Sequence, residues 1–416
     1  MSRPDLLASR HRAERRFQMY GRAAIVFALL ALVLLLSTII ENGWNGFYHT
    51  ELRLTLSVDE NVVGHDPAQL RHTDMTPYIK HALLAKFPAV TERRELREMV
   101  GLVSSGASVK MRKVLIADPD KLHKPFTLWL PASDTIDRAM KSGVDEKTPE
   151  LQRKISNRQL GWLALFKQQG DVRVVFNPYL LSSGDSREPE LAGFMGSMVG
   201  SFFTLLACMF VAFPVGVMAA IYLEEFAPKG RLTEWIEINI NNLAAVPSIV
   251  FGLLGLAVYL DIVGIPRSAS LAGGLTLALM ILPTIIIATR ASLRAIPDTI
   301  RDAARALGAS PLQVVLHHTF PLAIPGITTG TILGLARAIG ETAPLLMIGM
   351  VAFVADIPKN ILDPATTMPV QIYLWATSPE ASFVEKTSTG ILILLVILIS
   401  MNSLAIFIRR RFEHRW

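Results

Sequence analysis

The residues of this chain best suited to handle a charged solute are an arginine and a glutamate inside an apolar stretch. Arg337 and Glu341 stand four residues apart in ARAIGETAP, so on a helix they would be neighbours on one face. A charge within a membrane costs roughly 2.5 kcal/mol or more, so both side chains should face protein or water. We predict that Arg337, Glu341 and the adjacent Thr342 line a substrate path. The alternative is a pair that only fixes helix packing.

The sequence shows no residue pattern for bond-making chemistry. It has no G-x-x-x-x-G-K-[ST] phosphate-binding loop, and no Ser-His-Asp or Cys-His group can be discerned. The single cysteine, Cys208, falls in an apolar stretch and is expected to serve packing. His65, His72, His81 and His123 lack the spacing of metal ligands. We therefore expect no cofactor in this chain, with any ATP and Mg bound by a partner.

A second candidate for function is the polar segment 301–326, RDAARALGASPLQVVLHHTFPLAIPG, which lies between two apolar stretches. The apolar residues at helical spacing along its start are Ile300, Ala303, Ala304 and Leu307. They predict one shallow helix face. Gly308 is a plausible helix end, and Ser310 followed by Pro311 is a typical helix start. We predict a helix-break-helix module that docks a partner; the alternative is an amphipathic helix on the membrane surface.

The composition indicates a membrane protein. Charged residues make up 18% of the chain, whereas a soluble domain carries about 25%. The apolar excess is concentrated in six stretches, at 23–40, 191–223, 240–260, 268–289, 319–355 and 387–408. Each is long enough to cross roughly 30 Å of hydrocarbon, so the predicted fold is an α-helical integral membrane protein with about six transmembrane helices. The stretch from 191 exceeds one span, which leaves open a re-entrant lead-in or a long tilted helix.

Basic residues predict the orientation in the membrane. Arginines are frequent in the N-terminal residues 1–22, in the loop 290–320 and in the tail 409–416, so all three should be cytoplasmic. The first span, 23–40, lacks a small-x-small cleavage pattern and is predicted to be a retained anchor, not a signal peptide. The net charge of +6 is thus explained by topology. Nucleic-acid binding is not expected, because no aromatic-basic platform accompanies the charge.

Residues 41–190 have the composition of a soluble domain. Strand-like patterns occur at 52–58, 109–117, 126–130 and 171–176, and helical patterns at 75–87 and 93–102. We predict a small α+β domain, extracytoplasmic by the topology above, between the first and second membrane helices.

The fifth apolar stretch carries a glycine at every fourth position, at Gly326, Gly330 and Gly334. These glycines would leave one ridge of the helix nearly bare. Small residues allow two membrane helices to approach closely, so we predict that this ridge packs against another helix.

Two groups of residues resemble a known family. The segment 301–321 resembles the EAA loop by which ABC importer permeases bind their ATPase. The matching residues are Asp302, Ala303, Ala304, Gly308 and Pro321. Asp302 replaces the usual Glu, and His318 and Phe320 stand where Ile and Leu are usual. With ARAIGETAP, PVGVMAAIYLEEF, AVPSIVFGLLGL and LPTIIIATRASLRAIP, the region 191–416 is similar to phosphate importer permeases of the PstA type.

The resemblance implies the ABC importer permease fold over 191–408, with five membrane helices, and an ATPase-docking loop within 290–320. It implies three partners: a second permease subunit of the PstC type, an ATPase dimer of the PstB type and a periplasmic phosphate-binding protein of the PstS type. The domain 41–190 departs from the basic family pattern. The expected function is inward passage of inorganic phosphate across the cell inner membrane, without catalysis by this chain. The alternatives are a permease for another oxyanion, such as molybdate or sulfate, and a membrane sensor with an external ligand domain.

Overall fold

The computed structural model describes residues 3–58, 73–122, 124–144, 149–150 and 153–412. His65, His72 and His123, weighed above as metal ligands, lie outside these ranges, as do residues 413–416 of the basic tail. The first helix, α1, runs without a break over Arg3–Trp44. It contains the predicted first span and continues on both sides of it.

An inserted domain, residues 45–194, follows α1. Its elements in chain order are β1 (Tyr48–Leu56), α2 (Thr76–Lys86), α3 (Arg93–Val100), α4 (Ala107–Ala117), β2 (Phe126–Pro131), α5 (Asp134–Ser142), α6 (Asn157–Gln168) and β3 (Val172–Phe176). The three strands form an antiparallel sheet in the order β2-β1-β3. Leu52, Leu54 and Leu56 alternate along β1 and are buried in the domain's own hydrophobic core. The predicted α+β content is confirmed.

One strand prediction is wrong. Residues 109–117 belong to helix α4, in which Ala107, Met111 and Leu115 are buried at intervals of four. The β-branched residues of this stretch suggested a strand, but the burial period is that of a helix, and Val109 is exposed. Packing against the sheet therefore overrides local propensity here.

Ion pairs join the central strand of this sheet to its neighbours. Glu51 on β1 contacts Lys110 on α4 and accepts a 2.7 Å hydrogen bond from Arg173 on β3. Burial opposes ionisation of Glu51, but the contacts with His49, Lys110 and Arg173 outweigh it and lower the pKa of the carboxyl to about 2. The charge of Glu51 is therefore neutralised by cations of the same domain.

The membrane region follows the inserted domain. Its helices are α7 (Met195–Ile221), α8 (Arg231–Ala244), α9 (Ser248–Gly255), α10 (Ser270–Arg294), α11 (Asp298–Ala306), α12 (Pro311–Val314), α13 (Phe320–Gly340), α14 (Ala343–Met347), α15 (Met368–Ala376) and α16 (Ala381–Phe412). Within the described residues, five helical segments are long and apolar enough to cross a membrane, and a sixth candidate is a bent pair. We call the side that carries the inserted domain the domain side and the side that carries α11 the loop side.

The second and third apolar stretches differ in form. The stretch from 191 is one long helix, α7, which ends in a π-helical turn at Tyr222–Phe226. The third stretch is instead split, because α8 and the segment Ser248–Ile262 meet at an angle of 100°. Pro247 lies at the bend with a non-helical ψ of 136°. The bend falls here because a proline cannot continue a helix from the preceding residues.

Candidate functional site

The predicted charge pair lies where α13 ends. The helix stops at Gly340, and Glu341 has an extended backbone with φ −78° and ψ 127°. Pro344 accounts for the stop, because a proline ring clashes with the carbonyl four residues earlier, that of Gly340. The structure thus corrects the expectation that Arg337 and Glu341 both sit within one continuous helix. The pair spans a helix break.

The contact between the two side chains is long and partly open. Arg337 Nε donates to Glu341 Oε1 at 3.4 Å. The arginine side chain is 42% exposed and the glutamate side chain 19%. Thr342, the third predicted residue, is half-buried and begins the turn into α14. A cation held this loosely keeps donors free for another anion.

One face of α13 is packed and the opposite face is open. Gly330 and Ala338 are buried among neighbouring helices, whereas Leu333 is exposed and Arg337 and Gly340 lie on the same exposed side. The cation therefore points away from the core of its own subunit. A closed path along this face requires a second wall.

Helix α9 packs closely against the helix break at Gly252 and against α10 at Gly255. A Cβ on Gly252 would lie 2.7 Å from both Cα and O of Pro344, and one on Gly255 would lie 2.3 Å from Thr276 Oγ1. Real Cβ atoms do not approach so closely, so only glycine lets α9 reach the break. Sequence reasoning missed this support. Its only signal was the pair of glycines in FGLLGL.

The glycine ridge of α13 contacts α10, but not evenly. A Cβ on Gly326 would lie 2.1 Å from Ser292 Oγ, and one on Gly330 would lie 2.1 Å from the Cβ of Ala288. At Gly334 the nearest atoms are 3.7 Å away, an ordinary contact distance. The close approach of the two helices therefore depends on the first two glycines and not on the third.

The predicted docking segment is a helix-break-helix module. Gly308 follows α11 with φ +89°, a backbone conformation that favours glycine. Ser310 caps α12, since its hydroxyl accepts from the backbone N–H of Gln313 while the Gln313 side chain accepts from the backbone N–H of Ser310. Pro311 takes the first helical position. The local structure of this segment thus follows from its turn and cap residues.

The predicted apolar face of α11 is divided between two directions. Ala304 is buried and Ile300 is half-buried against the membrane region. Asp302 and Ala303 are exposed, and Leu307 at the tip is 89% exposed. Gly308 and Pro321, further along the segment, are also exposed. The free surface is therefore Asp302, Ala303, Leu307, Gly308 and Pro321, while Ala304 anchors the helix from behind.

A buried arginine fastens α11 to the rest of the subunit. Arg301 Nη2 pairs with Glu225 Oε1 at 2.8 Å, and both side chains are about nine-tenths buried or more. The same guanidinium donates to the carbonyls of Leu293 and Ile296 at 2.9 and 2.8 Å. Arg301 thus joins α11 to the end of α10 and to the π-helical turn after α7.

Two more arginines join the same acidic turn. Glu224 accepts from Arg290 at 3.2 Å and from Arg294 at 2.9 Å, and Arg290 also pairs with Glu237 on α8. In the sequence, these arginines served only as a signal of orientation. The two adjacent glutamates in Leu-Glu-Glu-Phe are the feature of the sequence from which partners for these arginines could have been predicted.

An apolar cleft of about 740 Å³ opens beside this network on the loop side. It lies between the end of α10 and the start of α13, and its lining includes Ala291, Ala295, Ile300, Leu322 and Gly326. Among the described residues, no group of three His, Cys, Asp or Glu side chains is placed to hold a metal. The loop side therefore offers contact surfaces and charge pairs.

Known proteins match the two parts of the chain separately. Residues 212–416 match the family described as "Binding-protein-dependent transport system inner membrane component", and residues 5–150 match a "Domain of unknown function (DUF3333)". The second match covers α1 together with much of the inserted domain. Helix α1 and the part of the inserted domain up to residue 150 therefore recur together in this family.

Curated relatives match the membrane region. The chain is 32% identical to the phosphate transport system permease protein PstA of Haemophilus influenzae over 226 residues, which cover 54% of this chain and 78% of the relative. It is 33% identical to PstA of Mycobacterium leprae over 218 residues, which cover 52% of this chain and 70% of the relative. A solved structure of the MetNI methionine ABC transporter aligns at 20% identity and a TM-score of 0.44, over 53% of this chain and 95% of that chain. From the sequence relatives, the chain belongs to the PstA family of phosphate transport permeases, membrane subunits of binding-protein-dependent ABC importers.

Proposed function

We propose that this chain passes inorganic phosphate across the inner membrane as one permease subunit of an ATP-driven importer. The observation that carries the proposal is the Arg337–Glu341 pair, placed at a helix break on the open face of α13. An arginine stays protonated at any physiological pH and offers planar donors to phosphate oxygens. Relatives named phosphate transport permeases support phosphate as the cargo.

Glu341 sets how tightly the anion is held. An unopposed guanidinium in a site of low dielectric would bind phosphate strongly and release it slowly. A carboxylate 3.4 Å away competes for the same donors, so the phosphate would be held weakly. Weak binding favours passage, because a transported ion must leave the site as well as enter it.

The open face of α13 indicates a second membrane subunit. A path that contains Arg337 needs a wall opposite this face, and a permease of the PstC type would supply it. A phosphate-binding protein of the PstS type would deliver the anion from the domain side. Neither role needs chemistry from this chain, which we regard as non-catalytic.

Coupling to ATP would run through α11. The exposed Asp302, Ala303, Leu307, Gly308 and Pro321 form a surface that an ATPase dimer of the PstB type would contact, and that dimer would bind ATP and Mg. An exposed leucine at the tip of a helix is the kind of apolar group that partners cover. The buried Arg301–Glu225 pair would transmit movement from this surface to α7 and α10.

Uptake of labelled phosphate tests the cargo. In cells that lack their own PstA-type subunit, this chain with its companion subunits should restore phosphate uptake, and excess molybdate or sulfate should not compete. Restored uptake of molybdate or sulfate, without phosphate, would show that the cargo is a different oxyanion. Failure of any ATPase to co-purify would favour a membrane sensor instead.

Cysteine labelling tests the orientation. Ser182, on the domain side, and Ser310, on the loop side, are both exposed in the structure. With the domain side outside, Ser182→Cys should react with an impermeant thiol reagent in spheroplasts, and Ser310→Cys should react only after the membrane is opened. The buried native Cys208 serves as the internal unreactive control. The reverse labelling pattern would invert the proposed topology.

A further inference from the structure

The inserted domain meets the last membrane helix through a joint of buried charges. Lys141 on α5 pairs with Asp137 at 2.6 Å and, across the boundary, with Glu385 on α16 at 3.2 Å. The Lys141 side chain is only 5% exposed. Asp137 in turn accepts from the backbone N–H of Thr50 on β1. A single lysine therefore connects the domain's sheet to α16.

The backbones on the two sides of the boundary are also in contact. Asn177 follows β3 and donates its side-chain N–H to the backbone carbonyl of Glu190. Its backbone N–H donates to the carbonyl of Phe47. Thr389 on α16 donates its hydroxyl to the carbonyl of Gly43 at 2.8 Å. The segments by which the chain enters and leaves the domain are thus held together beside α16.

Two further charges lie in this joint without partners. Glu190 is 3% exposed, and neither of its carboxylate oxygens has a hydrogen-bond partner. Lys386, the neighbour of Glu385, is 5% exposed, and its ammonium is likewise without a partner. Lys386 interacts electrostatically with Asp137 and Glu385 and, more weakly, with Glu190. Burial raises the pKa of the Glu190 carboxyl to about 7 and outweighs the opposing effect of the nearby Ser104 hydroxyl.

Unpaired buried charges are costly, whereas two of opposite sign that come into contact relieve each other. A small movement of α16 relative to the domain would bring Lys386 to Glu190. The same movement would separate Glu385 from Lys141. The joint therefore has the composition of an element with two discrete arrangements, one pair closed in each.

Helix α16 connects the joint to the helix that carries the candidate path. Helix α16 packs along α13, the helix that carries Arg337, and also along α1 and α15. Packed helices transmit displacement because close-packed interiors have little room to absorb it.

We propose that the inserted domain controls transport by moving the domain-side end of α16 between two positions, Lys141–Glu385 paired in one and Lys386–Glu190 paired in the other. The control of transport rests on the proposed permease function. The two positions of the joint do not depend on that function.

Distances between two spin labels test the positions. The labels go on Arg138→Cys in α5 and Glu380→Cys just before α16, both at exposed sites, in a Cys208→Ala background of the full chain assembled in lipid nanodiscs. Two distances are expected. Glu385→Gln should shift the populations towards one of them and Lys386→Met towards the other, each by about tenfold or more.

Opposite shifts of the two populations distinguish a joint with two positions from a clamp, by which we mean a boundary held in one position. In a clamp held only by the Lys141–Glu385 pair, Glu385→Gln would broaden one distance, and Lys386→Met would leave that distance unchanged because Lys386 has no partner in the clamp. That result would overturn the proposal. Glu95→Gln is the matched control, since it breaks the Arg158–Glu95 pair at 2.8 Å within the inserted domain and should leave the populations unchanged.

ATPase activity and phosphate uptake of the assembled complex test the control of transport. Glu385→Gln should change both rates in one direction, and Lys386→Met should change both in the opposite direction, at unchanged amounts of complex. Shifted distances with unaltered ATPase activity would refute control by the domain. If the parental complex took up no phosphate, the proposed cargo would fail, while the distances and the ATPase activity would still decide the inference.

Discussion

Phosphate uptake should fall by roughly thirtyfold or more when Arg337 is replaced by glutamine. The substitution removes the cation from the open face of α13 and leaves Glu341 as an unopposed carboxylate that repels the anion. The pair is partly open in this subunit and would be covered by the proposed second permease, and truncating one partner of a buried charge pair costs about 2 kcal/mol at the lower end, roughly thirtyfold in an equilibrium. Initial rates of labelled phosphate uptake, normalised to the amount of assembled subunit, measure the effect.

Three companion variants separate passage of the anion from helix packing. Arg337→Lys keeps the charge but loses the planar fork, and should retain partial uptake. Glu341→Gln should still assemble with the ATPase but release phosphate slowly, whereas a pair that only fixes packing predicts poor assembly. Arg267→Gln, at an exposed arginine away from the pair, is the matched control. Parental uptake in Arg337→Gln would return both residues to a structural role.

Replacing Gly308 with tryptophan should leave the subunit in the membrane but detach its ATPase. Gly308 lies in the exposed break of the docking module, with φ +89° and no atom near the position of a Cβ. An ATPase docked against the bare backbone, as proposed, would meet the indole ring. The left-handed backbone also costs roughly 1–2 kcal/mol for an ordinary residue. Co-purification of the ATPase at equal amounts of membrane subunit measures the loss.

Two glycine variants control for strain and bulk. Gly308→Asn tolerates the left-handed backbone and is small, so it should retain most of the ATPase. Gly230→Trp places the same ring on another loop-side turn, at a glycine with equally open surroundings and ordinary backbone. It should retain the ATPase if the contact is confined to the segment around α11. An ATPase bound normally by Gly308→Trp would refute the docking assignment.

Long-range contacts account for what the sequence patterns missed. Residues 109–117 have the composition of a strand, yet burial of Met111 and Leu115 in the domain core makes them a helix. Glu225 and Arg301 are 76 positions apart, so nothing in their local sequences indicates that they pair. The same holds for Lys141 and Glu385, which lie on different sides of the domain boundary.

Local composition alone indicated six apolar stretches, an inserted α+β domain, the glycine break and serine cap of the docking segment, and an arginine and a glutamate at 337 and 341. These features depend on hydropathy and backbone preference over a few neighbouring residues. Only the tertiary structure decided that Arg337 lies on the open face of α13, that α9 supports the helix break through Gly252, that Ala304 faces inward, and that α16 is tied to the inserted domain. Those outcomes depend on which surfaces of the folded chain meet. A contact between distant segments that needs only a missing Cβ or one buried charge leaves no recognisable pattern in the local sequence.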